Sequence, residues 1–268
     1  MNTFSEKHTL DLSKFHEEGY VLLKGLVDPD VVKNLGVFLN AQIEQSFWFL
    51  DPRLIPLGFQ ERVSRLDQMR NDERLFANLD AEKKNILFGH FDLKTRLHPE
   101  LTGWLRHEAA LKQALCRILD SPELYMHMPP MARFIYPNCE WPGVPAHQDA
   151  AYNKHMSDFV TMWIPLTDID DACGGVTLFE GLPAELKHSD NEERKVWFEA
   201  IDTQGMRPVH FHMKQGDALF FKSLKIHQSR PNISDRIRLS MDMRFFGGHE
   251  RSSKHFLDLQ TMKIHVPA

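Results

Sequence analysis

The stretch RIRLSMDMRFF, Arg236 to Phe246, alternates polar and apolar residues almost to its end. Arg236, Arg238, Ser240, Asp242 and Arg244 take the even positions, and Ile237, Leu239, Met241, Met243 and Phe245 the odd ones. A period of two over that length belongs to a β-strand with one apolar and one polar face. Two placements satisfy the pattern. The polar face either meets water, or it lines the inside of a barrel that holds an anionic ligand. Arg236, Arg238 and Arg244 on one face repel one another unless a negative group lies among them, and a carboxylate gripped by Arg238 would supply it.

The rest of the second half suits such a strand. After Leu119 the segments become short, β-branched or aromatic, and punctuated by Pro, Gly and Asn. Strands are expected over Met131 to Tyr136, at the start of VPAHQDAAYN (Val144 to Asn153), and over Phe159 to Leu166, Gly175 to Phe179, Arg207 to Met213 and Ala218 to Phe221. The hydrophilic stretch Pro183 to Ile201 reads as a partly helical excursion. The first half follows a helical period instead. A short amphipathic segment ends at Gly19, an apolar strand covers Tyr20 to Leu23, and a helix starts after Asp28 or Asp30. Its apolar stripe is Val31, Val32, Leu35, Phe38, Leu39 and Ile43. Phe47 to His98 is irregular, a loop followed by short helices, and PELTGWLRHEAALKQALCRILDS, from Pro99, predicts one helix.

With 268 residues and 42 % hydrophobic content, one domain spanning 1–268 is expected, mainly helical over 1–125 and β-rich over 126–250. The net charge of -5 comes without a run of like charge, which disfavours a nucleic-acid partner and favours a small molecule. Cys116, Cys139 and Cys173 form no CxxC pair and read as reduced thiols. The first residues lack the apolar core of a signal peptide, and no run of 18 apolar residues occurs, so a soluble, cytoplasmic protein with no membrane partner is expected.

The chemistry concentrates in HQD. On a strand His147 and Asp149 share a face, offering a nitrogen and a carboxylate oxygen to one point while Gln148 faces elsewhere. Two imidazoles and one carboxylate on one side of a divalent metal leave adjacent positions open, so a third ligand from another strand is needed. His227 is the better source; His210 and His212 lack a neighbouring carboxylate and read as ordinary polar strand positions. The same ligand set also suits a zinc-dependent hydrolase, although a hydrolytic water has no use for an arginine clamp.

HQD and the later HQSRPNISDRIRLSMDMR together resemble the phytanoyl-CoA dioxygenase family of Fe(II)/2-oxoglutarate oxygenases. In that family an arginine eleven residues beyond the distal histidine binds the far carboxylate of 2-oxoglutarate; His227 plus eleven is Arg238. Ser229, Asn232 and Ser234 fall on the other positions of the pattern, and FHEEGYVLLKGLVDPDVV and MWIPLTDIDDACGGVTLFEGLP are similar to further family segments. The resemblance implies a double-stranded β-helix, a jelly roll flanked by α-helices. It implies Fe(II) on His147, Asp149 and His227, with 2-oxoglutarate and O2 as co-substrates and succinate and CO2 as products. Arg238 and Ser240 would grip 2-oxoglutarate, with Ser229, Gln148 and Trp163 nearby. An intact Asp149 favours hydroxylation, since related halogenases have a small residue there; desaturation and ring chemistry share the same start. Phe134, Tyr136, Tyr152 and Asn153 are the substrate-contact candidates. Cys173-Gly174-Gly175 and Glu180-Gly181-Leu182-Pro183 depart from the family's usual turns, which bears on substrate identity.

Overall fold

Asp28 accepts from the Asp30 N–H and Pro29 fixes the first turn, which together start the long helix that the sequence places after these acids. The computed structural model describes residues 10–139, 141, 143–187 and 200–267. Its helices are α1 (Leu12–Glu18), α2 (Pro29–Leu50), α3 (Phe59–Asn71), α4 (Glu73–Ala77), α5 (Ala81–Leu87), α6 (Leu93–Arg96), α7 (Glu100–Gly103) and α8 (Ala109–Ile118). Its strands are β1 (Tyr20–Leu23), β2 (Leu124–His127), β3 (Met131–Ile135), β4 (Val160–Pro165), β5 (Gly175–Phe179), β6 (Pro208–His210), β7 (Ala218–Lys222), β8 (His227–Arg230), β9 (Arg238–Gly247), β10 (Phe256–Asp258) and β11 (Ile264–His265). α1 ends where Gly19 adopts a positive φ of 76° and donates to the Phe15 carbonyl.

Among the described residues all strand pairs are antiparallel. The larger sheet runs β1-β7-β4-β9-β2-β10-β11, with β3 also on β9, and the smaller runs β6-β5-β8. Backbone bridges His147–His227 and Ile169–Met213 add to these ladders. The two sheets face each other across a polar pocket, lined by Thr161, Trp163 and Ser240 from one and by Val176, His227 and Ser229 from the other. This is the jelly-roll arrangement, mainly β with helices outside.

β9 decides which of its two placements applies. Its odd residues Leu239, Met241, Met243 and Phe245 share one core with Val32, Leu35, Leu39, Ile43 and Phe47 of α2. Its even residues turn inward, yet Arg238, Ser240 and Asp242 are all buried. The polar face is therefore a barrel lining, with helices covering the other side.

Several expectations need correction. Arg236 precedes β9 and lies on the outside, half-exposed and paired with Asp170 at 2.7 Å, so the inward face carries two arginines rather than three. The helix expected from Pro99 is broken at His107–Glu108 between a 3-10 turn, Trp104–Arg106, and α8. A continuous helix would place Glu108 on the same stripe as Leu101, Leu105, Leu115 and Leu119, and burying that carboxylate is costlier than the break. The start of VPAHQDAAYN makes only the His147 bridge, and Asp149 opens a 3-10 turn, Asp149–Tyr152. Arg207 to Met213 shortens to β6 plus the Met213 bridge. β2, β8, β10 and β11 were not expected; HQSR in particular has no apolar alternation to announce it. Of the excursion at Pro183 to Ile201, residues 188–199 lie outside the described residues.

Candidate active site

His147 and His227 face each other through reciprocal backbone bonds, His147 N–H to the His227 carbonyl at 2.9 Å and the reverse at 3.0 Å. This bridge brings the ring centroids to 4.1 Å. Each imidazole Nδ1 lies on a carbonyl two residues back, His147 on Pro145 at 2.8 Å and His227 on Lys225 at 2.9 Å. A carbonyl can only accept, so Nδ1 carries the proton in both rings and Nε2 keeps its lone pair. Burial holds both imidazoles below their ordinary range, hence neutral. Lys225, which supplies one of the carbonyls, is itself anchored by Nζ bonds to the carbonyls of Glu18 at 2.6 Å and Gly181 at 2.8 Å.

Asp149 completes the group. Its position in the turn after His147 aims the carboxylate back, and the three ligand atoms of His147, Asp149 and His227 lie within 4.8 Å of one another, all three residues buried. Thr161 Oγ1 donates to Asp149 Oδ2, and Arg244 Nη2 donates to Oδ1 at 2.8 Å. Burial alone would raise this carboxyl; the guanidinium of Arg244 more than offsets it, so Asp149 stays ionised. Two neutral imidazole nitrogens and one carboxylate oxygen, pre-oriented by their outer partners, fit a divalent iron-type ion with open positions.

Arg238 lines the same pocket as His147 and His227. Its Nη1 donates to the carbonyls of Arg230 at 2.8 Å and Gly175 at 3.3 Å, while its buried Nε has no hydrogen-bond partner among the described residues. Burial lowers the guanidinium to about 10, which leaves it charged at neutral pH. The glycine turn crowds this arginine: a Cβ on Gly174, at φ 82°, would sit 2.3 Å from the Pro231 carbonyl oxygen and 3.1 Å from Arg238 Nη1. Ser229, Ser240 and Trp163 line the pocket with Arg238, and Ser229 Oγ also accepts from the Val144 N–H at 3.1 Å. Trp163 doubles as a member of the core between the two sheets. A buried cation short of one acceptor, beside a site for a metal, fits a dicarboxylate whose far end reaches Arg238.

The family model for phytanoyl-CoA dioxygenase (PhyH) matches residues 15–240. This chain belongs to the phytanoyl-CoA dioxygenase family. Two curated relatives are each named 1-deoxypentalenic acid 11-beta-hydroxylase, one from Streptomyces exfoliatus at 27 % identity and one from Streptomyces arenae at 32 %. Both alignments cover 87 % of this chain and 79 % of the relative. Among solved structures, the epimerase SnoN in complex with Fe3+, alpha-ketoglutarate and nogalamycin RO is similar, with a TM-score of 0.56 at 15 % identity, covering 88 % of this chain and 82 % of that one. That likeness shows the fold.

The remaining candidates of this phytanoyl-CoA dioxygenase family member divide sharply. Tyr152 packs edge-on against His147, ring centroids 5.8 Å apart, and Asn153 donates to the Asp149 carbonyl at 3.1 Å; both line a second pocket of about 300 Å³ that also reaches His147 and Asp149. Gln148 points away from the triad. Its amide donates to the Leu224 carbonyl at 2.7 Å and accepts from the Lys187 N–H at 2.6 Å, so it ties a loop down instead of facing a co-substrate. Phe134 and Tyr136 also turn away, into the helix-packed core. Phe134 packs edge-on against Phe47 at 5.5 Å and against Phe91 at 5.0 Å, while Tyr136 meets Phe47 and Phe59 and lies 3.4 Å from Arg62 Nη1. The alternation of β3 explains the miss, because Arg133, next to Phe134, takes the inward position.

The sequence places Arg244 and Asp242 on the polar face of β9 without assigning either a role, and it points to neither Arg133 nor Thr161. Arg244 and Asp242 share the polar face of β9, and their pairing at 3.1 Å, with Arg244 on Asp149, makes a buried chain of charge. Arg133 adds to it, its Nε 3.7 Å from Asp242 and an Nη 2.5 Å from His90 Nε2. The i, i+2, i+4 spacing of β9 was signal enough for Asp242 and Arg244. Nothing in the sequence announces Thr161, whose role depends on where β4 sits.

Proposed function

We propose that this protein is an Fe(II)- and 2-oxoglutarate-dependent dioxygenase that hydroxylates an unactivated C–H bond of a small-molecule metabolite. The observation that carries the reading is that the two histidines of the His147, Asp149 and His227 cluster share one pocket with Arg238, whose buried Nε has no partner among the described residues. Fe(II), 2-oxoglutarate and O2, when bound, supply the oxidant that places one oxygen atom on the substrate as 2-oxoglutarate becomes succinate and CO2. The chain's own residues hold and orient. His147 and His227 present fixed Nε2 lone pairs, Asp149 stays ionised under Arg244 and Thr161, Arg238 and Ser240 grip the far carboxylate, and Trp163 walls the pocket against water. The whole chain is read as one oxygenase unit, with α2 to α8 as the helical cover and the described strands, β1 included, forming the barrel sheets. Hydroxylation is preferred over the epimerisation named for SnoN because the relatives that align over 87 % of this chain are named hydroxylases. Cys116, Cys139 and Cys173 are free thiols, which supports residence in a reducing compartment such as the cytoplasm; among the described residues no helix is long and apolar enough to cross a membrane.

Anaerobic addition of Fe(II) and 2-oxoglutarate tests this directly. A weak visible charge-transfer band is expected in the wild type and is lost in His227→Ala. Tight zinc binding with no 2-oxoglutarate-dependent band overturns the reading in favour of a hydrolase.

A further inference from the structure

The 300 Å³ pocket on the Asp149 side of the cluster combines apolar and cationic lining. Met128, Pro129, Met131 and Tyr152 give it apolar walls, but Arg133, Arg244 and Lys254 also line it. Against these three cations the neighbourhood offers two carboxylates, Asp149 and Asp242, and Asp149 belongs to the metal cluster. Lys254 at the rim makes no ion pair among the described residues; its ammonium rests on the Tyr152 carbonyl at 2.8 Å and Asn153 Oδ1 at 2.7 Å. Two further buried atoms lack partners among the described residues, Arg244 Nε and His127 Nδ1. His127 is neutral, its imidazole lowered to about 3 by burial with Lys254 and Arg244 nearby, so it adds no charge of its own.

A pocket with surplus positive charge, unpartnered polar nitrogens and apolar walls is complementary to a compact apolar molecule carrying one anionic group. We propose that the substrate of this enzyme is a compact, largely apolar carboxylic acid whose carboxylate is held between Lys254 and Arg244, with its skeleton against Met128, Met131 and Tyr152. The inference rests on the oxygenase reading in one respect only, that the pocket next to His147 and Asp149 is the substrate side. Lys254 is then a specificity-determining residue: its ammonium, already oriented by Tyr152 and Asn153, reaches the carboxylate without touching the metal cluster.

The test uses protein loaded anaerobically with Fe(II) and 2-oxoglutarate, with metal-free protein in parallel. Three acids, adamantane-1-carboxylate, cyclohexylacetate and decanoate, are titrated against their uncharged primary amides by calorimetry, and the charge-transfer band is recorded in the same loaded samples. At least one acid is expected to bind about tenfold or more tightly than its amide and to perturb the band. Lys254→Met should remove most of that preference while leaving the amide's affinity and the unperturbed band as they were, and Lys254→Arg should restore it. The proposal is overturned if no acid outbinds its amide, or if Lys254→Met keeps the full preference. A normal band with acid and amide equal removes this inference alone, whereas acid preference in metal-free protein without any band removes the oxygenase reading alone.

Discussion

Arg238 and Arg244 sit on the same face of the same strand, six residues apart and both inside the barrel, yet the protein treats them in opposite ways. Arg244 has its counter-ions built in, Asp149 at 2.8 Å and Asp242 at 3.1 Å, and these raise its guanidinium well above the ordinary range although burial works against them. Arg238 has no acidic partner among the described residues; it has two carbonyls, an unpartnered Nε, and a guanidinium lowered by burial. Arg244 has its charge satisfied by the fold and shapes a ligand, although its Nε too lacks a partner among the described residues; Arg238 lacks both a counter-ion and an Nε partner, and a bound carboxylate would supply them. A buried ion pair contributes to stability mainly in the sense that breaking it is costly, while a buried unpaired cation costs stability and is kept for what it binds.

The largest effect is expected at the satisfied end. Arg244→Met leaves Asp149 uncompensated and Asp242 with the more distant Arg133, and should destabilise the metal-free protein by about 3–5 kcal/mol in urea unfolding. A divalent ion can replace the missing charge at Asp149, so the gain in Tm on adding Fe(II) anaerobically should be larger in the variant than in the wild type. Unchanged stability in Arg244→Met would mean that the Asp149 pair is solvated, and the contrast with Arg238 would disappear.

Arg238→Ala is expected to behave in reverse. Removing a buried cation that lacks an acidic partner should leave metal-free stability unchanged or raised, but 2-oxoglutarate would lose its charged grip, a cost of about 2–5 kcal/mol in affinity measured through the charge-transfer band. Arg238→Lys keeps the charge without the fork and should fall between. If Arg238→Ala instead destabilises the metal-free protein as Arg244→Met does, the two arginines are alike and Arg238 is structural.

This contrast was only half legible in the sequence. The alternation from Arg236 to Phe246 made β9 visible, and the spacing from His227 marked out Arg238, because both depend on positions along one chain. The same alternation put Arg236 inside the barrel, whereas the strand begins two residues later and Arg236 meets Asp170 outside. Period two says which residues share a face and not where the strand starts. The triad was legible although VPAHQDAAYN is a bridge followed by a turn, since His147 and Asp149 can converge through either geometry. Phe134 and Tyr136 were misjudged because the choice of inward residue on β3 follows from its register with β9, where Arg133 lies opposite Ser240. The helical cover was legible in α2, whose stripe is regular, and illegible at Glu108, where one carboxylate on the apolar stripe splits a helix in two.

Thr161 gives the finest test of the division, because it touches the satisfied end without carrying charge. Its hydroxyl holds Asp149 Oδ2 while Arg244 holds Oδ1, so both oxygens of the carboxylate are oriented from behind. Thr161→Val keeps the shape of this fully buried position on β4 and removes one bond. Loss of such an outer partner is expected to weaken metal affinity about 10- to 100-fold, read by competition with a chelating dye. The affinity of the fully metal-loaded protein for 2-oxoglutarate should stay close to the wild-type value, since the far carboxylate answers to Arg238. A matching loss in 2-oxoglutarate affinity would show that the two ends of the pocket are coupled through Asp149, and that the separation seen along β9 does not extend to binding.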